Sequence, residues 1–114
     1  MYQGWIDDIG IWNRALTQQE INEMHNGVNY SDTCNAVTGS LINGLVGYWP
    51  FCGNANDQSG NGNNGMVNGA TLSTDRFGNS DSAYSFDGQN DFIEVSNNIN
   101  LQNLQNFSIS VWYK

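Results

Sequence analysis

The sequence predicts an all-β fold of antiparallel strands with one short helix near residues 18–25. Three observations carry that prediction. The chain is dense in turn-formers: it holds 19 asparagines and 13 glycines, and charged residues supply only 12% of it. Asn, Gly, Ser and Asp tolerate positive φ or bond to nearby backbone, so they punctuate a chain into short strands. Several short segments alternate apolar and polar residues with a period of two, the signature of a half-buried strand. Only one segment carries helix-start chemistry, Thr17 with Glu20 three residues on, a capping box.

Taken in order, Trp5–Trp12 reads as a strand. Trp5, Asp7, Ile9 and Ile11 share one parity, hence one face, and Trp12 lies on the other. The helix follows over Gln18–His25 and stops at Asn26-Gly27. His25, at its C-terminal end, suits the helix dipole better than it suits a ligand role. Residues 28–43 are rich in Ser, Thr, Asn and Gly, lack a period and read as a linker. Leu45–Phe51 is a strand whose Pro50 must sit at an end or an edge. Asn54–Asn64 is a turn region, with a short strand near Gly65–Val67. Ala83–Phe86 and Phe92–Val95 read as strands joined by the hairpin-type turn Asp87-Gly88-Gln89-Asn90. Phe107, Ile109, Val111 and Tyr113 alternate with Ser108, Ser110 and Trp112. This places the first three residues, with Tyr84, Phe86, Ile93, Val95, Ile9 and Ile11, in a core between two sheets.

The net charge of −8 arises from 11 acids against Arg14, Arg76 and Lys114. That balance disfavours nucleic acid, whose binding rests on Lys and Arg meeting phosphates, and anionic membrane surfaces. It leaves room for a divalent cation held by oxygens. There is no apolar run of membrane-spanning length. Met1-Tyr2-Gln3-Gly4-Trp5 has neither the basic start nor the apolar stretch of an export signal, so an exported parent is expected to carry its signal upstream. Cys34 and Cys52 are either a disulfide or two unrelated thiols; export favours the disulfide.

Two stretches carry a family pattern. Gly44-Leu45-Val46-Gly47-Tyr48-Trp49-Pro50-Phe51 with Gly53–Gly62, and Ala83–Ile93 through Asp87-Gly88-Gln89-Asn90-Asp91, resemble the opening of a LamG-like jellyroll domain. Phe107–Lys114 resembles the strand that follows there. Ile6-Asp7-Asp8-Ile9-Gly10-Ile11-Trp12-Asn13-Arg14-Ala15-Leu16-Thr17 resembles the closing segment of the same family. The resemblance implies a concanavalin A-like jelly-roll β-sandwich, incomplete here because the middle strands are missing. It implies three parts: 1–27 as the end of one module, 28–43 as a linker and 44–114 as the opening part of a second. In that fold the first and last strands are neighbours, so the strand around Ile9 is expected to pair with the strand around Tyr48. Open strand edges would favour association with another chain.

The resemblance also implies calcium, with Asp7 or Asp8 as one ligand and Asp57, Asn61, Asp87 and Asp91 as turn oxygens that the fold could add. Alternatively these are turn residues bonding their own backbone. Trp12 and Trp112, on strand faces opposite the aliphatic sets, are the candidate platforms for a sugar ring, although most such rings serve packing. No paired-carboxylate cluster, Ser/His/Asp set or zinc spacing appears, so catalysis is not expected. Asn29-Tyr30-Ser31 and Asn106-Phe107-Ser108 are N-glycosylation sequons. The expected function is a non-catalytic binding or adhesion module of a secreted or cell-surface protein, with glycan or extracellular protein partners. The alternatives are a structural, self-associating repeat and an accessory module of a secreted glycoside hydrolase.

Overall fold

The computed structural model describes residues 1–27, 34, 37–96 and 101–114. Its strands are β1 (Gln3–Trp12), β2 (Leu45–Trp49), β3 (Gly65–Asn68), β4 (Thr71–Ser73), β5 (Ala83–Asp87), β6 (Phe92–Val95) and β7 (Ser108–Tyr113), with one α-helix, α1 (Gln18–His25). The longest strand, β1, is the spine. β7 runs antiparallel along one of its edges, from Trp12↔Ser108 to Ile6↔Tyr113. The other edge is shared end to end. β5 takes Gln3–Ile6 and β2 takes Ile9–Trp12, both antiparallel. β4 adds to β5, completing a five-stranded sheet, while β3 and β6 form a two-stranded sheet of their own. Ile9 pairs with Trp49 and Gly10 with Tyr48, the pairing expected between these two segments.

β1 is not a regular strand. Its register against β7 shifts between Asp7 and Gly10, and Asp8 has φ +46°. A non-glycine residue in the left-handed region is uncommon, and here it marks an extra residue set out of the ladder as a β-bulge. The bulge reverses the parity. Ile6 pairs with Tyr113 and Ile11 with Ile109, and residues two and four apart on β7 share a face. Ile6, Ile9 and Ile11 therefore share one face, and Trp5, Asp7, Gly10 and Trp12 the other. Unbroken alternation put Asp7 among the isoleucines; the bulge turns it away from them.

Each face has its own core. On the first, Trp49, Phe51, Tyr84 and Phe86 pack with Ile6, Ile9 and Ile11, and Ile93 and Val95 of β6 lie against them. The two-stranded sheet thus covers this face. On the second, Trp12 and Tyr48 pack with Val37 and Leu41, with Leu16 and Met24 joining from either end of α1. Val37 and Leu41, buried here, belong to the stretch read as a linker, and a 3-10 helix spans Gly39–Ile42. The sequon at Asn29-Tyr30-Ser31 and most of residues 28–36 lie outside the described residues.

The helix forms where its capping box predicts. The Glu20 amide donates to Thr17 Oγ1 at 3.2 Å, and Glu20 Oε2 accepts from the Thr17 amide at 2.9 Å. The buried Glu20 also receives both terminal nitrogens of Arg14, at 2.8 and 2.7 Å. Hydrogen bonds from Arg14 hold that carboxyl down to about 2. Arg14 further donates to the carbonyls of Asn43 and Ser40, so one cation ties the end of β1 to the helix and to the 3-10 segment. The Cys34–Cys52 disulfide is present, with its Cα atoms 5.6 Å apart. It fastens this segment to the loop after β2.

Two expectations need correction. Ala83–Phe86 and Phe92–Val95 are strands, but they do not form a hairpin with each other. β5 pairs with β1 and β4, β6 pairs with β3, and the turn between them carries the chain from one sheet to the other. β7 is a strand as its alternation predicts, yet its aliphatic side chains are not core. Phe107, Ile109 and Val111 are 56%, 58% and 41% exposed. The narrow second sheet covers the β1 isoleucines and leaves the same face of β7 open. Periodicity identifies a strand and its two faces, but not which of them another layer reaches.

Candidate functional site

At the Trp5–Asp7 end of the second sheet face, a cleft of about 470 Å³ opens, lined by Trp5, Asp7, Asp75, Arg76, Trp112 and Lys114 together with Ser73 and Thr74. The β1–β7 ladder sets its floor. Asp7 lies opposite Trp112. One step along, Trp5 and Lys114 exchange backbone hydrogen bonds of 2.8 and 2.9 Å. Residues two apart on a strand share a face, so these four side chains form a checkerboard with the two indoles on one diagonal.

The wall comes from the turn after β4. Asp75 Oδ1 accepts from the amides of Phe77 and Asn79 at 2.9 and 2.8 Å, and Asp75 Oδ2 accepts from the Asn79 side chain at 2.8 Å. Burial pushes the Asp75 carboxyl up, but these hydrogen bonds outweigh it and hold it below its ordinary value. The turn so fixed projects Arg76 onto the floor. Nη1 of Arg76 donates to Asp7 Oδ2 and Asp8 Oδ2, each at 2.7 Å. Its guanidinium lies 4.4 Å from the ring centres of both Trp112 and Phe77. The ammonium of Lys114 sits 5.1 Å from the Trp5 ring centre. Both indoles thus hold a cation on one face, an attraction to the ring quadrupole. Burial, reinforced by the neighbouring Asp8 charge, pushes the Asp7 carboxyl up to about 7, although Arg76 pulls it back.

Of the residues singled out in the sequence, Asp7, Asp8 and Trp112 meet here. Trp12 does not present a platform: it is 0% exposed, and its Nε1 donates to the Leu41 carbonyl at 2.8 Å. It faces away from the isoleucines as expected, but α1 and the 3-10 segment cover that end of the face. Asp57 and Asn61 lie together along the outer edge of β2. Asp57 accepts from the amides of Tyr48, Ser59 and Asn63, and Asn61 Nδ2 donates to the carbonyls of Leu45 and Val46. Asp87 and Asp91 share the turn between β5 and β6, where Asp91 accepts from the Asp87 amide at 2.8 Å and Asp87 from the Gln89 amide at 2.8 Å. Among the described residues, no three His, Cys, Asp or Glu side chains gather as a metal-holding group. Arg76 occupies the Asp7 and Asp8 carboxylates, so a cation at these two residues would take its place.

Asp75, Arg76 and Lys114 were not singled out by sequence. The available signal was the scarcity of cations. With three Lys and Arg against eleven acids, any carboxylate buried beside the core must find one of very few partners.

The fold and the cleft define a β-rich chain, built of antiparallel sheets with one short α-helix and opening an aromatic, charged cleft at one end of its central strand. No family model matches the chain, and no curated protein and no solved structure matches it.

Proposed function

We propose that the chain is part of a non-catalytic, extracellular binding protein built from LamG-like jelly-roll modules, and that the Trp5–Trp112 cleft is its glycan seat. The cleft carries this reading. Two indoles on a diagonal, with hydroxyls and charged groups around them, provide what a sugar ring needs: flat apolar faces for its C–H groups and polar atoms for its hydroxyls. The pairing of β1 with β2 accords with the closing and opening segments of the LamG-like pattern. The disulfide accords with an oxidising, extracellular setting, and no helix among the described residues is long and apolar enough to cross a membrane. A glycan array followed by titration of any hit against the Trp112→Ala variant tests the reading. Binding that disappears with Trp112 supports it; a hit that binds the variant equally well moves the seat elsewhere.

Calcium remains in the proposal as a structural ion of the complete module. An ion that binds only the folded state raises the melting temperature, so an unchanged melt between chelator and millimolar calcium removes it. A second reading, the self-associating repeat, is favoured by one observation. β7 pairs only with β1 among the described residues, and Ile109, Val111 and Tyr113 leave an apolar strip on its open face. Light scattering across a concentration series separates a monomer from a strand-paired oligomer.

A further inference from the structure

Resting on the glycan-binding reading above, we infer that the Trp5–Trp112 cleft prefers sugars bearing a protonated amino group over neutral or acidic ones. The chain's own side chains already demonstrate the contact. An ammonium, that of Lys114, is seated 5.1 Å over Trp5, and a guanidinium 4.4 Å over Trp112. The two seats differ in how firmly they are held. Arg76 is anchored by two carboxylates at 2.7 Å, so its charge is met within the protein and it stays as a wall. Lys114 is exposed, and its ammonium can yield its place to another.

Asp75 lines the same cleft. Its hydrogen bonds with Phe77 and Asn79 stabilise the ionised form, leaving a carboxylate at the cleft to meet a cation. Arg76 is met by Asp7 and Asp8, so once a ligand displaces Lys114 the charge it meets at the cleft is the Asp75 carboxylate. The whole chain, at −8, attracts cations and repels uronates or sulfated sugars at long range. An amino sugar meets each of these features at once: its ring lies on an indole and its ammonium takes the position over Trp5.

The test compares the glucosamine trimer with its fully N-acetylated counterpart and with a uronic-acid trimer. Each is titrated at pH 6 and low salt by calorimetry and by tryptophan fluorescence. The free-amine trimer should bind about tenfold more tightly than the acetylated one, the difference expected of one charge-assisted contact. Salt should narrow that gap. Asp75→Asn, which keeps an acceptor for the Phe77 amide and so preserves the turn, should narrow it too. Lys114→Ala should strengthen amine binding by removing the competing ammonium. Equal or tighter binding of the acetylated or acidic trimer overturns the inference and leaves glycan binding standing. Silence toward every sugar on the array and all three trimers is instead the failure of the glycan-binding reading.

Discussion

One face of the five-stranded sheet is finished in two different ways at its two ends. At the Gly10–Trp12 end, α1, the 3-10 helix and the disulfide-tied segment cover the sheet, and Trp12 and Tyr48 are fully enclosed. At the Trp5–Asp7 end, the C-terminal end of α1 comes only to the Trp112 and Arg76 side of the face. A tight turn held by Asp75 reaches over the sheet, and Trp5 and Trp112 border a cleft instead of a core. Both ends use tryptophan, and both use one arginine with a buried acid: Arg14 with Glu20 at the first, Arg76 with Asp7 and Asp8 at the second. The difference lies in the covering layer. A large aromatic on a sheet face becomes core when an apolar element reaches it and a platform when only polar loops do.

The sharpest way to break this comparison is at the covered end. Trp12→Ala should destabilise the chain by about 3–5 kcal/mol in chemical denaturation, the range for a large aromatic lost from a core. A loss under about 1 kcal/mol would mean that α1 and the 3-10 segment do not enclose it. Cutting the Cys34–Cys52 bond, by reduction or with paired serines, should cost roughly 3 kcal/mol through the loop it closes. Because Val37 and Leu41 are fastened by it, quenching of Trp12 fluorescence should change in the reduced protein while the cleft tryptophans keep theirs.

The acids at the two ends should give opposite pH dependences. Glu20, depressed from 4.5 to about 2, stabilises the fold above its unfolded value, and that stability is lost as pH falls from about 4.5 to about 2. Asp7, raised from 3.8 to about 7, acts in reverse. Between those values the folded state binds a proton that the unfolded state has released, so stability declines as pH rises through that window and levels off above it. Melting temperature should therefore be highest at about pH 4–5. Asp7→Asn should flatten the alkaline side of the curve and leave the acid side unchanged. A wild-type melt that rises steadily to pH 8 would contradict the Asp7 environment. The smallest expected effect is at β7: Ile109→Ala should cost less than about 1 kcal/mol, because the side chain is 58% exposed.

Local chemistry was legible in the sequence. The capping box gave the helix its observed span, Gln18–His25, because Thr17 and Glu20 satisfy each other within a single turn. The alternation of Ser108–Tyr113 marked a strand, since side chains on a pleated backbone alternate whatever lies outside it. What stayed hidden was non-local. The bulge at Asp8 leaves no mark on composition, yet it reverses the parity of Trp5 and Asp7 relative to Ile9 and Ile11. The identity of the covering layer decided that Trp12 is packed and Trp112 half-open, though sequence placed both on the polar-side faces of their strands. Arg76 lies 69 residues from Asp7 along the chain, beyond any periodicity or spacing rule.

The contrast between the two ends can be read most directly from the four indole N–H resonances in a nitrogen–proton correlation spectrum titrated with a sugar that the array identifies. Those of Trp12 and Trp49, bonded inside the protein to the carbonyls of Leu41 and Asn63, should stay in place. Those of Trp5 and Trp112 should shift together along one saturable curve. If the buried pair moves while Trp5 and Trp112 are unaffected, the cleft is not the seat of binding and the account of it is wrong.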